Sequence, residues 1–274
     1  MTAYHRPDTL DEALRIAADG ACILAAGCTD LFPATSAQAL TGPVLDLTGI
    51  AALKGITRSA AGWRIGAGTS WAEIARADLP EAFAGLQAAA REVGSVQIQT
   101  SGTIGGNLCN ASPAADGVPP LLTLGASVEL AGPAGLRVLA LEAFMLGPRR
   151  VALVPGEILT AVLIPEVSGQ GGFLKLGARA YLVISIVMGA ARIVVDDGRI
   201  AQAALAMGAA SPVARRLTAL EAAVTGLRPA EAAGFDPALV TGALSPLSDP
   251  RADETYRNEA AVTLMRRLIG EAGR

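Results

Sequence analysis

The residues best suited to binding chemistry lie in a segment rich in Gly, Ser, Asn and Pro near the middle of the chain. Gly105 and Gly106 are adjacent, and glycine lets backbone N–H groups approach a phosphate because no Cβ stands in the way. Thr103 and Asn107 flank this pair as side-chain donors, and Asp116 offers an acceptor for ribose hydroxyls. The pattern indicates a nucleotide site, although a glycine pair in a loop is more often only a turn.

A second candidate segment is Ala25-Ala26-Gly27-Cys28-Thr29-Asp30-Leu31, which follows a predicted strand. A turn of small residues at the end of a strand is a common place for a dinucleotide pyrophosphate. Taken alone, this segment is a weaker signal than the first and is more often a plain turn. The sequence holds no complete G-x-G-x-x-G or Walker P-loop.

Histidine and cysteine usage argues against several kinds of catalysis. His5 is the only histidine, and the spacing of Cys22, Cys28 and Cys109 matches no zinc or iron–sulfur pattern. A Ser-His-Asp triad is therefore not expected, and we predict neither a catalytic residue nor a metal ligand. Redox work by this chain would need a borrowed cofactor. Three cysteines form no disulfide framework, and a reducing cytoplasm is the expected location.

Composition restricts the alternatives further. The chain has 274 residues, a net charge of −3 and only 17% charged residues, so no basic surface for nucleic acid is expected. Hydrophobic residues make up 51%, and the mean hydropathy is +0.43. The longest apolar run, residues 182–191, is about half the length of a membrane crossing, and the N-terminus shows no signal peptide. We attribute the apolar composition to buried strands and subunit contacts.

The elements that must position these segments alternate without a strict βαβ rhythm, which favours an α+β fold. Capping boxes predict helices after Thr9 and Ser70, and Asp196-Asp197-Gly198 predicts a hairpin turn. Residues 167–172 hold three glycines and indicate a domain boundary. Further helices are predicted at 86–93, 212–224 and 253–269, and strands at 21–25, 44–47, 63–67, 121–130, 158–164, 184–195 and 199–207.

Considered together, the two candidate segments resemble a known family. Ala26-Gly27-Cys28-Thr29-Asp30 and Thr103-Ile104-Gly105-Gly106-Asn107 resemble the two flavin-pyrophosphate loops of the FAD subunit of molybdenum hydroxylases. That family includes xanthine dehydrogenase, carbon monoxide dehydrogenase and 4-hydroxybenzoyl-CoA reductase. The resemblance spans nearly the whole chain, and it continues at Asn110-Ala111-Ser112-Pro113, Pro155-Gly156-Glu157-Ile158-Leu159 and Phe173-Leu174-Lys175.

The resemblance implies an architecture of the p-cresol methylhydroxylase/vanillyl-alcohol oxidase type. An FAD-binding domain would occupy residues 1–166, with two α/β subdomains at about 1–55 and 56–166. A small α+β domain with an antiparallel sheet and helices would follow at residues 172–274.

The resemblance also implies a set of FAD contacts. The two loops would hold the diphosphate, Asn110 and Asp116 would contact the nucleotide, and Leu159 and Lys175 match positions that touch FAD in relatives. Two alternatives stay open: Leu159 is an ordinary core residue of a strand, and Lys175 is a solvated surface charge. The expected cofactor-binding residues are Leu24, Ala25, Ala26, Gly27, Cys28, Thr29, Asp30, Leu31, Thr103, Ile104, Gly105, Gly106, Asn107, Asn110, Asp116, Leu159 and Lys175.

Three departures from the family pattern bear on function. Cys28 stands where many relatives have a second glycine, so its side chain crowds the loop, lies near the flavin, or is a buried, inert thiol. No acidic residue follows Arg179, where several relatives carry one close to the flavin ring. The cysteine cluster that binds an extra iron–sulfur centre in CoA reductases is missing.

By resemblance, the chain is an FAD-carrying electron-transfer oxidoreductase subunit. A large partner would hold a molybdenum–pterin centre, and a small partner with two 2Fe–2S clusters would pass electrons to this FAD. The FAD would then reduce NAD or another acceptor, in a cytoplasmic heterotrimer or a dimer of heterotrimers. A self-sufficient flavin oxidase of the same superfamily and a nucleotide-binding assembly protein that has lost flavin are the alternatives.

Overall fold

The first part of the chain folds around a small parallel sheet. In the computed structural model, which describes residues 3–36, 40–180 and 182–272, the predicted first helix begins after Thr9, whose side chain accepts a hydrogen bond from Glu12 N. Ala13, Leu45 and Ile50 form the buried centre of this unit. Its elements are β1 (Tyr4–His5), α1 (Leu10–Asp19), β2 (Ile23–Ala25) and β3 (Val44–Asp46), and the parallel sheet has the order β1-β3-β2.

The next part is an antiparallel sheet with helices inserted between its strands. The sheet has five strands in the order β4-β5-β10-β6-β7, and the largest hydrophobic core lies between it and the helices. The elements are β4 (Ile56–Ser59), β5 (Gly62–Gly66), α2 (Trp71–Arg76), α3 (Ala84–Glu92), α4 (Val96–Ser101), α5 (Ile104–Asn110), α6 (Val118–Thr123), β6 (Ser127–Gly132), β7 (Gly135–Ala140), α7 (Leu141–Phe144), β8 (Met145–Gly147), β9 (Arg150–Val151) and β10 (Ile158–Ile164).

Local signals predicted much of this part, but one strand was placed wrongly. The Ser70 capping box is present, with Ser70 Oγ accepting from Glu73 N and Glu73 accepting from Ser70 N. The strand predicted at 121–130 begins only at Ser127, because the residues before it form the end of α6. Pro119 and Pro120 occupy the first turn of α6, where proline has no hydrogen bond to lose.

The last part is a four-stranded antiparallel sheet covered by helices. The predicted hairpin is confirmed, and Asp197 and Gly198 both have positive φ, as a tight hairpin turn requires. The helix predicted at 212–224 is shorter than expected, since residues 215–216 pair as a strand. The elements are β11 (Gln170–Leu176), β12 (Val187–Asp196), β13 (Arg199–Gly208), β14 (Arg215–Arg216), α8 (Thr218–Val224), α9 (Pro229–Ala232), α10 (Ala238–Thr241) and α11 (Glu254–Gly270).

The glycines at residues 169–172 have a packing role that the sequence did not reveal. Gly171 and Gly172 lie in β11, where α3 crosses closely. A Cβ on Gly171 would overlap the carbonyl oxygen of Ala82, and a Cβ on Gly85 would lie 2.7 Å from Gly172 O. These glycines bring the sheet of the last part against a helix of the preceding part, and they do not form a loose linker.

Two arginines of the last sheet form hydrogen bonds to helix α6 of the preceding part. The carbonyl groups at the end of a helix have no partner within the helix, and here α6 ends against side chains of the last sheet. Arg192 Nε donates to Thr123 O at 2.9 Å, and Arg216 Nη1 donates to Leu122 O at 3.1 Å. Glu221 holds Arg216 in place through two hydrogen bonds of 2.7 and 2.8 Å. The helices and sheets of the second and third parts thus pack against each other in one α+β fold, and both of these parts contain antiparallel sheets.

Within the described part of the chain, no helix has both the length and the apolar character needed to span a lipid bilayer.

Candidate functional site

The two candidate segments, far apart in sequence, meet at a contact between backbones. A Cβ on Gly27 would overlap the carbonyl oxygen of Ser101 and lie 2.8 Å from Gly102 Cα. A Cβ on Gly102 would in turn lie 3.3 Å from Thr29 Oγ1. Glycine at both positions therefore lets the loop after β2 lie directly against the turn that begins α5. The structure brings together the segments that the sequence singled out separately.

The loop after β2 offers a run of backbone donors. It leaves the carboxyl end of a parallel strand, the usual place for a ligand in such sheets. Among residues 3–36, 40–180 and 182–272, no acceptor receives a hydrogen bond from the backbone N–H groups of residues 26–31. Successive unpaired N–H groups in a turn form a concave site for anions. This loop is therefore suited to hold a phosphate.

Cys28 adopts the backbone conformation that a glycine would adopt there. Its φ is +57°, in the left-handed region that costs a non-glycine residue roughly 1 to 3 kcal/mol. Its Sγ donates to Ala26 O at 3.4 Å, so the thiol turns back on its own loop. Burial, followed by the nearby Asp46 carboxylate, raises the pKa of the Cys28 thiol. The half-buried thiol therefore stays protonated at neutral pH and does not react as a thiolate.

The glycine pair in the second segment has two different roles. Ile104 N donates to Thr69 O, and Gly105 N donates to Ala67 O at 2.9 Å, so neither group is free for a ligand. A Cβ on Gly105 would lie 2.7 Å from Ala67 Cβ. Gly105 is therefore required for packing, and its own N–H group is already bonded within the protein. Gly106 is exposed, and its added Cβ would approach only Thr103 Oγ1.

The expected loop at residues 103–107 is in fact the start of helix α5. Thr103 is its N-cap, and its Oγ1 accepts from Gly106 N at 3.1 Å. Asn107 Oδ1 is buried and has no hydrogen-bond partner within the described ranges. Since an unsatisfied buried polar atom is costly, this oxygen is a candidate contact for a bound group.

Asn110 lies at the other end of α5 and is held by an arginine. Arg149 Nη1 donates to the side-chain oxygen of Asn110 and, at 3.3 Å, to its carbonyl oxygen. Arg149 itself has a φ of +58°, and its N–H donates to Ala111 O. The Asn110 amide N–H₂ remains the group that could face a nucleotide. Sequence reasoning missed Arg149, because no local pattern links it to residue 110.

Asp116 and Lys175 form a buried ion pair. Lys175 Nζ lies 2.7 Å from Asp116 Oδ2, and the side chains are 6% and 9% exposed. Ser185 Oγ donates to Asp116 Oδ1 at 2.7 Å, and Lys175 also donates to Glu92 O at 3.1 Å. Burial raises the pKa of Asp116, while the Lys175 cation and the Ser185 hydroxyl oppose that rise. Lys175 is thus not a solvated surface charge.

This pair changes the expected roles of its members. Both oxygens of Asp116 already accept hydrogen bonds from protein donors, so its first role is to tie the loop before α6 to β11. Leu159 is 5% exposed and packs within the large core of the five-stranded sheet, as its alternative interpretation stated. Ser185, which closes the network on Asp116, was missed because a serine in an apolar run gives no signal of its own.

Comparisons with known proteins agree with this geometry. A family model described as "FAD binding domain in molybdopterin dehydrogenase" matches residues 1–167, and one described as "CO dehydrogenase flavoprotein C-terminal domain" matches residues 173–272. The chain is 31% identical to the xanthine dehydrogenase FAD-binding subunit of Escherichia coli O157:H7, over 99% of this chain and 96% of that one. It is 29% identical to the carbon monoxide dehydrogenase medium chain of Afipia carboxidovorans, with 98% and 96% covered.

Solved structures give the same result. Reconstituted CO dehydrogenase from Oligotropha carboxidovorans contains a chain with a TM-score of 0.88 and 28% identity, which covers 99% of this chain and 97% of that one. The fold and the site thus define a flavoprotein built to hold FAD. The chain belongs to the FAD-binding family of the molybdopterin dehydrogenases and is an FAD subunit of the xanthine/CO dehydrogenase type, a medium subunit of a multi-subunit oxidoreductase.

The residues present fit an FAD diphosphate. Within the described part of the chain, the loop after β2 supplies unpaired N–H groups, Gly106 leaves open space at the start of α5, and Asn107 carries an unpartnered buried oxygen. All three features lie on the two segments that meet at Gly27 and Gly102.

The buried ion pair gives a prediction about stability. We expect Lys175→Met to lower the free energy of unfolding at neutral pH by roughly 3 to 5 kcal/mol, because it leaves the Asp116 carboxylate buried without its cation. The pKa of Asp116 then rises further, so the folded variant binds a proton more tightly than the unfolded chain. Its free energy of unfolding should therefore increase as the pH falls from about 8 to about 5.

Urea unfolding at several pH values measures this effect. The control is the double variant Lys175→Met with Asp116→Asn, which has no carboxyl group to titrate and should lose that increase on acidification. Neutral-pH stability of Lys175→Met equal to that of the parent would show that the pair does not hold the fold together.

Proposed function

We propose that this chain is the electron-transferring flavin subunit of a molybdenum hydroxylase, and that it does not transform an organic substrate itself. The observation that carries the proposal is the meeting of two backbone segments at Gly27 and Ser101. We assign these joined segments to the diphosphate, the part of FAD that FMN lacks. No cluster of metal-ligating side chains occurs among the described residues.

The chain's own residues would hold FAD at both ends of this site. We propose that residues 24–31 and 103–107 hold the diphosphate, with the N–H groups of residues 26–31 and the exposed face of Gly106 nearest to it. The Asn110 amide and the Asp116–Lys175 pair would border the nucleotide. Leu159 would contribute packing beneath the site.

Bound FAD supplies the ability to take electrons one at a time and to release them as a pair. In the proposed complex, a small subunit with two 2Fe–2S clusters delivers electrons, and a large molybdenum–pterin subunit oxidises the substrate. The protein residues here bind, orient and exclude water. The electron acceptor is NAD or another oxidant. Residues 178–186 contain no acidic side chain, whose negative charge would lower the electron affinity of the flavin.

Two features support this proposal over its alternatives. The chain spans 96% of the length of the xanthine dehydrogenase FAD-binding subunit, which favours a subunit over a self-sufficient oxidase. Cys28 adopts the backbone conformation expected of glycine, and its thiol bonds to Ala26 O of its own loop, so it gives no reason for loss of flavin. We further propose a domain boundary near residues 166–172 and a cytoplasmic assembly that is a heterotrimer or a dimer of heterotrimers.

The glycine contacts give a test of the flavin site. Gly106→Val should leave a folded chain, since its Cβ meets only Thr103 Oγ1, yet weaken FAD binding about tenfold or more by filling the space beside the diphosphate. Acid precipitation followed by mass spectrometry of the supernatant measures the flavin per chain. It should release FAD from the parent, because neither loop contains a histidine for a covalent tether.

Gly147→Val is the matched control, because a Cβ at Gly147 meets nothing within 4 Å and the residue lies outside both segments. Full FAD occupancy in Gly106→Val, or FMN in the parent, would show that the site is misplaced.

The proposed partners are tested by purifying the complex from its natural host. We expect the chain to copurify with a much larger molybdenum–pterin polypeptide and a small iron–sulfur polypeptide, so the native mass and metal analysis of one fraction should show molybdenum and iron together. A free flavoprotein of 27.7 kDa, or an assembly without these metals, would contradict the electron-transfer role while leaving the FAD site intact.

A further inference from the structure

Ser185 is a buried polar residue that is not among the residues proposed to hold FAD. It is 0% exposed and lies between β11 and β12. Its hydroxyl donates to Asp116 Oδ1 at 2.7 Å, while Lys175 occupies Oδ2 at the same distance. The Asp116 carboxylate is therefore held from two sides by residues of the last sheet and its connecting segment.

The segment at residues 182–186 is fixed at several points. Ile186 N donates to Leu176 O at 2.8 Å, and the buried Arg257 donates to Ile186 O. Arg179 Nε donates to Leu182 O at 3.0 Å, and Leu182 has a φ of +52°. Between these anchors, Leu182 and Ile184 are 54% and 61% exposed. The segment thus exposes apolar side chains, and the hydrogen bonds at Leu182 and Ile186 fix the position of its backbone.

A continuous set of contacts connects this segment with the phosphate segments. Gly117 follows Asp116, and a Cβ on Gly117 would lie 3.3 Å from Asn107 Oδ1 and overlap the ring of Trp71. Trp71 N donates to Gly102 O, in the turn that begins α5. Asp116 therefore lies between the start of α5 and Ser185. A small displacement at the start of α5 must be accommodated by movement at Ser185, and the reverse, because the intervening atoms are close-packed.

We propose that Ser185 is a positioning residue that, through Asp116, couples residues 182–186 to occupancy of the nucleotide site. This inference rests on the proposed FAD site. When FAD orders the start of α5, the Asp116 carboxylate is fixed and Ser185 holds residues 182–186 in place. Without the Ser185 hydroxyl, the nucleotide site and this segment move independently. The segment is thus an FAD-dependent surface of the subunit.

Hydrogen exchange on the full chain, in the assembly in which it purifies, tests the proposal. In the parent protein, FAD should slow exchange of the amide hydrogens of residues 182–186 relative to the FAD-depleted protein. Ser185→Ala should lose this difference and bind FAD roughly tenfold more weakly, as expected for loss of a hydrogen bond to a charged group. Ser185→Cys keeps a weak hydrogen-bond donor, so its FAD affinity and FAD-dependent exchange should lie between those of the parent and Ser185→Ala. This variant replaces Ser185→Ala in the test if Ser185→Ala does not fold.

Two comparisons separate positioning from simple packing. In an Asp116→Asn background, Ser185→Ala should change FAD affinity little, because both substitutions break the same interaction. Ser211→Ala is the matched control: Ser211 is also buried, but among the described residues its hydroxyl bonds only to the backbone of Ala210 and Ser245. It should leave the FAD-dependent protection of residues 182–186 unchanged.

The outcomes are distinguishable. Suppose that the parent binds FAD but that FAD still slows exchange of residues 182–186 fully in Ser185→Ala. Alternatively, suppose that Ser185→Ala and Asp116→Asn lower FAD affinity additively. Either result overturns the coupling and leaves the FAD site standing. If the parent binds no FAD at all, the proposed function fails first.

Discussion

The site depends on one close approach between backbones. The loop after β2 can lie against the turn before α5 only because residue 27 has no side chain, since a Cβ there would overlap the carbonyl oxygen of Ser101. This contact brings the loop of residues 26–31, whose N–H groups have no partner among the described residues, against the turn that precedes Gly106 and Asn107. In the proposed site, a diphosphate would therefore be bound by two segments held together, and each segment alone would be an ordinary turn or helix start.

A second constraint joins the site to the last sheet. Asp116 is buried, and a buried carboxylate is costly unless it is paired and fully hydrogen-bonded. Lys175 and Ser185 meet that requirement from the C-terminal part, and Arg192 and Arg216 satisfy the end of α6 from the same side. The two matched family domains thus share a polar interface in addition to the close packing of α3 on β11. A flavin subunit built this way can present its nucleotide and its C-terminal surface to partners as one unit.

The sequence predicted what is encoded locally and missed what depends on distant contacts. The helices capped by Thr9 and Ser70, the hairpin at Asp197-Gly198 and the α+β class were predicted correctly, because each rests on neighbouring residues. At Ser70 the full capping box is present, whereas at Thr9 only the side-chain cap is. The packing of the β11 glycines against α3 was missed, since α3 lies far away in sequence. Likewise, the roles of Gly105 and Asp116 depend on Ala67, Lys175 and Ser185, which no local pattern connects to them.

The most direct test of the central contact is the flavin content of Gly27→Ala. The added methyl group must push the two segments apart, so we predict a folded chain whose FAD-to-protein ratio falls far below that of the parent. Gly20→Ala, where a Cβ meets nothing within 4 Å, should keep its FAD. The ratio should be measured after acid release, alongside a thermal unfolding curve. Full FAD occupancy in folded Gly27→Ala would contradict the account.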